Sequence, residues 1–313
     1  MKTKTIRFDY FKPAMEKDAD VECNLTPYLE YLSTLPMDKC FMPYQAGHSI
    51  RMSRINFYNN YQPEKQKPFP FALWRLIFTR FRPDVPGIAK RTQVEVTPLK
   101  LEEDEYVAED TIVLYDPELN YLVVQRNRTG APPSFIRKFF NCMGSDESAI
   151  ELQIVTKNDA YKRAAKHFLH HTFNLRFKNI RNPRIQEIVP KDVPLVNLLN
   201  IGEAMASEQE YPIRAELLLT IPTRKPTDSF KHQVHSKILS VANMLAADAE
   251  IDKLKIKGRV DEESSLEEVD LIDEAVRDFI KFDMKNVRFI SSERIFDKIA
   301  LAYAQKRTTL ISI

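Results

Sequence analysis

Two short apolar runs separated by one polar break dominate the hydrophobic pattern. Ile112 to Tyr115 and Tyr121 to Gln125 read as a pair of strands, and Asp116, Pro117, Glu118, Leu119 and Asn120 lie between them. Aspartate accepts hydrogen bonds from its own downstream backbone, proline presets φ, and asparagine tolerates a left-handed conformation, so this pattern predicts a tight hairpin. A helix is expected after Gly130. Upstream, Thr5 to Tyr10 alternates, with Ile6, Phe8 and Tyr10 on one face and Arg7 and Asp9 on the other, which predicts a half-buried strand. Leu25, Leu29 and Leu32 keep helical spacing behind Thr26 as cap and Pro27 in the first turn, and Pro36 ends the run. Ile50 to Phe57, Phe71 to Phe81 and Thr92 to Leu99 predict further strands.

The second half changes character. Ile150, Leu152 and Ile154 alternate as a strand, and Asn158 can cap a helix running to about Thr172. On that helix Tyr161, Ala164, Ala165, Phe168, Leu169 and Thr172 share one side. Lys162, Arg163, Lys166, His167, His170 and His171 share the other. Strands are expected at Pro183 to Val189 and Arg214 to Ile221, with a helix from Val193 to Met205 between them. A long helix capped by Thr227 or Asp228 follows, with Phe230, Val234, Ile238, Val241 and Leu245 in register. Lys253 to Val260 reads as a polar-faced strand, Asp270 to Ile280 as a helix, and Val287 to Ile290 as a strand. A terminal helix carries Ile295, Phe296, Ile299 and Tyr303. The expected class is α+β: a strand-rich N-terminal unit (1–147) with the 112–125 hairpin at its centre, then a mixed α/β unit (148–313) with a basic helix over 159–172 and a C-terminal helix.

Length and composition agree with a folded chain of about two domains, since 313 residues at 43% hydrophobic content can bury a sizeable core. Cys23, Cys40 and Cys142 are widely spaced, with no CxxC pair, and reduced thiols in the cytoplasm are the expectation. The N-terminus lacks an apolar signal core, and no run of about 18 apolar residues suggests a membrane span. With six glycines and neither GxGxxG nor GxxxxGK[ST], dinucleotide and P-loop nucleotide binding are not expected. No cofactor is called for.

Candidate catalytic chemistry is sparse. His167 and His171 are four apart, a possible zinc spacing, but no HExxH pattern and no nearby cysteine supports it; a solvated basic face is the plainer reading. His232 and His235 read as surface. The acidic LEEDE at 101–105 reads as a solvated loop in preference to a cation site. No GxSxG elbow is present, and Glu151 is followed by Gln153 where a restriction-type ExK would place lysine. Cys142 reads as a small buried hydrophobe.

Charge is more informative in its distribution than in its total. The formal net charge is only +2, yet Arg126, Arg128, Arg137 and Lys138 fall in a stretch without acid. From Lys157 to Arg184 eight basic residues (Lys157, Lys162, Arg163, Lys166, Arg176, Lys178, Arg181, Arg184) face Asp159 alone. Compensating acid is concentrated late, from Asp248 to Asp283. A phosphate backbone rewards such clustering, because each neutralised phosphate releases condensed counterions and arginine forks onto phosphate oxygens. The alternative is that charges segregated in sequence intermix in space, with basic faces paired against the late acidic segment or against a partner protein.

The hairpin EDTIVLYDPELNYLVVQRNR, the late KIKGRV and VDLIDEAVRDFIKF, and the final ISSERIFDKIALAYAQKRTTL together resemble a family of uncharacterised bacterial and phage proteins of about this size. More distantly, the layout is similar to the phage-exclusion protein RexA and to the Kiwa subunit KwaB. The resemblance implies a cytoplasmic protein of a phage-defence system that binds DNA without strong sequence choice, often as a homodimer; with the basic clusters, the expectation is backbone contact with double-stranded DNA by a sensing or regulatory component beside an effector. Arg126, Arg128, Arg137, Lys138, Lys162, Arg163, Lys166, Arg176, Lys178, Arg181 and Arg184 are the expected phosphate contacts, with no catalytic residue and no metal. The other expectation is an interaction subunit or inhibitor docking on a protein, and a third is a metal-dependent nuclease without a recognisable motif.

Overall fold

The computed structural model describes all residues except 1–2, 16–17, 44–47, 64–65, 90, 93, 145–148, 158–159, 168, 179–213, 221–237, 240, 243–244, 247–250, 262, 285–288 and 312–313. Among the described residues the first half holds strands β1 (Thr3–Met15), β2 (Asp18–Glu22), β3 (Phe41–Pro43), β4 (Ser49–Tyr58), β5 (Leu73–Arg82), β6 (Gly87–Ala89), β7 (Val96–Pro98), β8 (Val107–Asp116) and β9 (Tyr121–Gln125). Strands β10 (Ile150–Ile154), β11 (Leu169–Phe177), β12 (Ala215–Thr220), β13 (Ile251–Arg259), β14 (Glu267–Asp270) and β15 (Arg277–Asp283) follow. The helices are α1 (Thr26–Thr34), α2 (Pro133–Met143), α3 (Ala160–Lys166) and α4 (Ser292–Leu310). The class is α+β, with a curled antiparallel sheet and a C-terminal helix.

The large sheet runs β10-β1-β9-β8-β5-β4-β3, and β15 and β2 also pair with β1. The β8–β9 hairpin sits inside this sheet, with β5 on one side and β1 on the other. Val113, Leu114, Tyr115, Leu122, Val123 and Val124 are therefore all fully buried, which is why the hairpin reads as continuous apolar runs. Its turn forms as its residues predict. Asp116 Oδ1 accepts from Glu118 N–H (2.9 Å) and Leu119 N–H (3.1 Å), and Asn120 adopts φ 54°. The chain then needs Gly130, because a Cβ there would come within 2.4 Å of Thr111 Oγ1. Beyond it α2 buries Phe135, Ile136, Phe139 and Phe140, and the last two rings stand edge-on to Phe78.

A second sheet, β12-β11-β13-β14, is antiparallel throughout. Phe173, Leu175, Phe177, Leu254 and Ile256 are buried on one face, and α3 lies against β13 and β14. The chain divides into two compact units, neither of them one stretch of sequence. One comprises Met1–Phe8, Pro13–Glu151 and Phe279–Gln305; the other comprises Asp9–Lys12, Leu152–Asp278 and Lys306–Ile313.

Several sequence expectations need correction. The basic helix over 159–172 ends at Lys166, and residues 169–177 form the central strand β11. Phe173, Leu175 and Phe177 alternate with Asn174 and Arg176, and pairing on both edges overrides the helical spacing that includes Thr172. The expected helix at 270–280 is the end of β14, a turn, and β15. Asp270 Oδ1 accepts from Ile272 N–H and Asp273 N–H, the same device as at Asp116. Asp9, expected on a polar face, is fully buried and ion-paired with Arg277 (3.4 Å). At the start of α1 the side chain that accepts from the first turn is Asn24, by Oδ1 from Thr26 N–H, instead of Thr26. The strand at 92–99 shrinks to Val96–Pro98. The expected elements at 183–189 and 193–205, most of the helix from Thr227 or Asp228, and part of 287–290 lie outside the described residues; Ile238, Ala242 and Leu245 of that helix are buried.

Candidate functional site

The clustered cations meet acids that are remote in sequence. Arg163, on α3, donates to both oxygens of Glu274 (2.9 and 2.8 Å) and to Glu267 Oε1 (2.9 Å). The other Glu267 oxygen lies 3.1 Å from Nε2 of buried His167. Arg137 on α2 pairs with Glu151 on β10, both largely shielded from solvent. Arg176 Nε donates to Asp252 (2.7 Å). Arg126 and Lys138 are half-buried, while Arg128, Lys162, Lys166 and Lys178 are exposed. Arg181 and Arg184 lie outside the described residues, as do His232 and His235.

The register of the second sheet shows why this intermixing occurs. Glu216, Arg176 and Lys253 form one cross-strand row, and Lys257 faces Glu268 while Lys255 faces Asp270. Lys253 binds Glu216 (2.7 Å) and Lys255 binds Glu268 (2.7 Å). The hydrogen bond from Lys255 holds the Glu268 carboxyl below its ordinary range and lifts the Lys255 ammonium in return. Likewise Lys253, first among the causes, lowers Glu216. The central strands thus carry a cationic column, and the flanking strands carry the acids that answer it. Solvent screens such exposed pairs, so their consequence is electrostatic balance more than stability.

Among the described histidines, the pair singled out for its zinc spacing, His167 and His171, is separated by the change from helix to strand. The ladder with β13 slips by one residue at His171, between His170 and Thr172, and there His171 accepts from Arg259 Nε–H (3.2 Å). His167 and His170 are buried with ring centroids 6.1 Å apart. Among the described residues no group of three or more His, Cys, Asp or Glu side chains could hold a metal ion. Cys23, Cys40 and Cys142 are free thiols; Cys142, expected to be buried, is exposed.

A different surface emerges around the expected strand at Thr92 to Leu99, for which the sequence offered no pairing partner. Strands β6 and β7 form a two-stranded ribbon of their own, every residue of it exposed. A Cβ on Gly87 would come within 2.3 Å of Val96 Cγ1, so the glycine lets Val96 lie across the ribbon. Ile88 and Val96 (65%) are exposed, and Val94 is fully so. At the ribbon's base Phe81 lies 6.1 Å from exposed Phe41 and 5.7 Å, edge-on, from exposed Tyr106, with the Arg51 guanidinium 4.9 Å over its ring. The acidic loop follows directly, with Glu102 to Glu105 all exposed and closed by Glu105 N–H donating to Glu102 O. Exposed β-branched residues around a turn carry no strong sequence signature of a surface, although the strand itself is legible at Thr92 to Leu99.

A family model, that of DUF6731, a family of unknown function, matches residues 1–309. The chain belongs to DUF6731. Among curated proteins none matches it. DUF6731 membership spans both compact units and thus covers the paired cations and the ribbon alike. Among the described residues of this DUF6731 chain, no helix is long and apolar enough to cross a membrane.

Proposed function

We propose that the chain is a non-catalytic interaction subunit that docks on a partner protein through the β6–β7 ribbon and the aromatic strip at its base. The carrying observation is the exposure of Ile88, Val94 and Val96 on and beside a ribbon whose outer edges pair with no third strand among the described residues, together with exposed Phe41 and Tyr106 around Phe81 at the end of the strand that leads into it. Exposed apolar surface of this kind marks interaction sites, and exposed strand edges invite pairing. The acidic loop 102–105 beside it specifies the partner's chemistry: an apolar patch bordered by basic side chains.

A second reading, backbone binding of double-stranded DNA without sequence choice, is favoured by the exposure of Arg128, Lys162, Lys166 and Lys178. It ranks behind the first because a phosphate at Arg137, Arg163 or Arg176 must compete with Glu151, with Glu267 and Glu274, or with Asp252. A place in phage exclusion, in the cytoplasm beside an effector, is supported by the resemblance alone and belongs to the same proposal.

Co-expression with the products of adjacent genes, followed by size-exclusion chromatography and hydrogen exchange, tests the docking reading. The expected result is a stoichiometric complex in which 85–106 gains protection, and which Val94→Asp with Val96→Asp abolishes without lowering the melting temperature. A complex that leaves 85–106 unprotected, or one that survives the double substitution, would overturn it.

A further inference from the structure

We infer that the cleft between α1 and the C-terminal end of α2 is a binding site for an uncharged, largely aromatic small molecule. The cleft encloses about 440 Å³, within the usual range of small-molecule sites. Met15, Cys23, Leu25, Tyr28, Phe140 and Met143 supply its walls. Those are two thioethers, a thiol, an aliphatic chain and two rings, and among the described residues the lining contains no lysine, arginine, aspartate or glutamate. A charged ligand would therefore lose hydration there without gaining a counter-charge.

The geometry is that of a receptacle. Tyr28 and Phe140 stand edge-on at 5.7 Å and 68°, forming a fixed aromatic corner. The Tyr28 hydroxyl donates to the Phe140 carbonyl, which also accepts from Gly144 N–H, so this polar group is already satisfied and need not be answered by the ligand. Burial, ahead of its neighbours, raises the Tyr28 hydroxyl and the Cys23 thiol alike, so both remain neutral. Gly144 keeps the wall low, since a Cβ would lie 3.2 Å from Phe140 O and 3.4 Å from Tyr28 Cε2. Asn24 Oδ1 holds the mouth by accepting from Thr26 N–H and the Tyr115 hydroxyl. Two methionines add adaptable, polarisable surface suited to an aromatic face. Cys23, Tyr28 and Met143 are only half-buried, so apolar wall is left open to solvent, where an internal packing fault would be closed.

The inference is independent of the docking surface, which shares no residue with the cleft. The test uses the whole chain and Nile red, a neutral aromatic probe, in a fluorescence titration. In parallel, mass spectrometry follows alkylation of Cys23 by N-ethylmaleimide. Saturable binding is expected, with Cys23 alkylation slowed along the same saturation curve, and with affinity about tenfold weaker in Met143→Lys. The Cys23 measurement is read on the unaltered chain, so it decides even where the variant fails to fold. Non-saturable binding, a Cys23 rate indifferent to the probe, or equally tight binding of anionic anilinonaphthalene sulfonate would each overturn the inference.

Discussion

Asp116 ties the hairpin turn of the first unit to its C-terminal helix. It is fully buried, and one of its oxygens accepts the two turn amides while the other accepts the Tyr303 hydroxyl at 2.7 Å. Removing the carboxylate strands three donors, two of them backbone, and a buried donor without a partner costs about 1–3 kcal/mol. Asp116→Ala should therefore destabilise the chain by roughly 3 kcal/mol in denaturant melts, and Tyr303→Phe by about 1 kcal/mol. Equal losses from the two would mean that the turn amides are satisfied some other way. At His171 the effect is one of pH. Burial, then Arg259 and Lys257, holds the imidazole below its ordinary value of 6.5. As pH falls through that value the unfolded chain takes up the proton first, so stability is full above it and declines on acidification. His171→Gln should flatten the melting temperature's dependence on pH in that window; an unchanged slope would assign the dependence to other groups.

At the level of elements, what could be read from sequence was what is decided locally. The turn from Asp116 to Asn120 is fixed by residues that bond their own neighbours, and α4 keeps an unbroken 3.6-residue apolar stripe through Phe296, Ile299 and Tyr303. Residues 159–177 were illegible because their spacing suits two structures. Ala160, Ala164 and the following bulky residues suit a helix, and Phe173, Leu175 and Phe177 suit a strand; the choice falls to β12 and β13, which are distant in sequence. The candidate site failed for the same reason. The basic run is plain in the sequence, but Glu267 and Glu274 are 104 and 111 residues from Arg163. A single substitution separates the two readings of this segment. In a central strand Asn174→Pro removes a ladder amide and clashes, costing about 3 kcal/mol or more, whereas two residues beyond a helix ending at Thr172 it would be tolerated. We expect a loss of cooperative unfolding in the unit containing β11; a melting temperature within a degree or two of wild type would contradict the strand.

For the whole molecule the question is how much positive charge remains available once the chain has folded. The formal charge is +2, and the ion pairs of Arg137, Arg163 and Arg176 place three of the expected phosphate contacts against carboxylates. Affinity for a polyanion falls with salt in proportion to the phosphates neutralised, with a slope of about −0.9 per contact on duplex DNA. A track using all the expected contacts would give a slope near −10, one without the three paired arginines about −7, and one using only the exposed, described set of Arg128, Lys162, Lys166 and Lys178 about −4. Reversal of Arg163 is a poor probe of this, because it leaves Glu267 and Glu274 facing a third acid and should destabilise the second unit whatever the ligand. Lys162→Glu with Lys166→Glu is the cleaner variant, both side chains being exposed on α3. In mobility-shift titrations from about 50 to 200 mM salt, we expect weak retention of duplex DNA with a slope shallower than −4, reduced further in the double variant. A slope near −10 would show that the carboxylates yield to phosphate, and would move DNA binding ahead of protein docking as the chain's function.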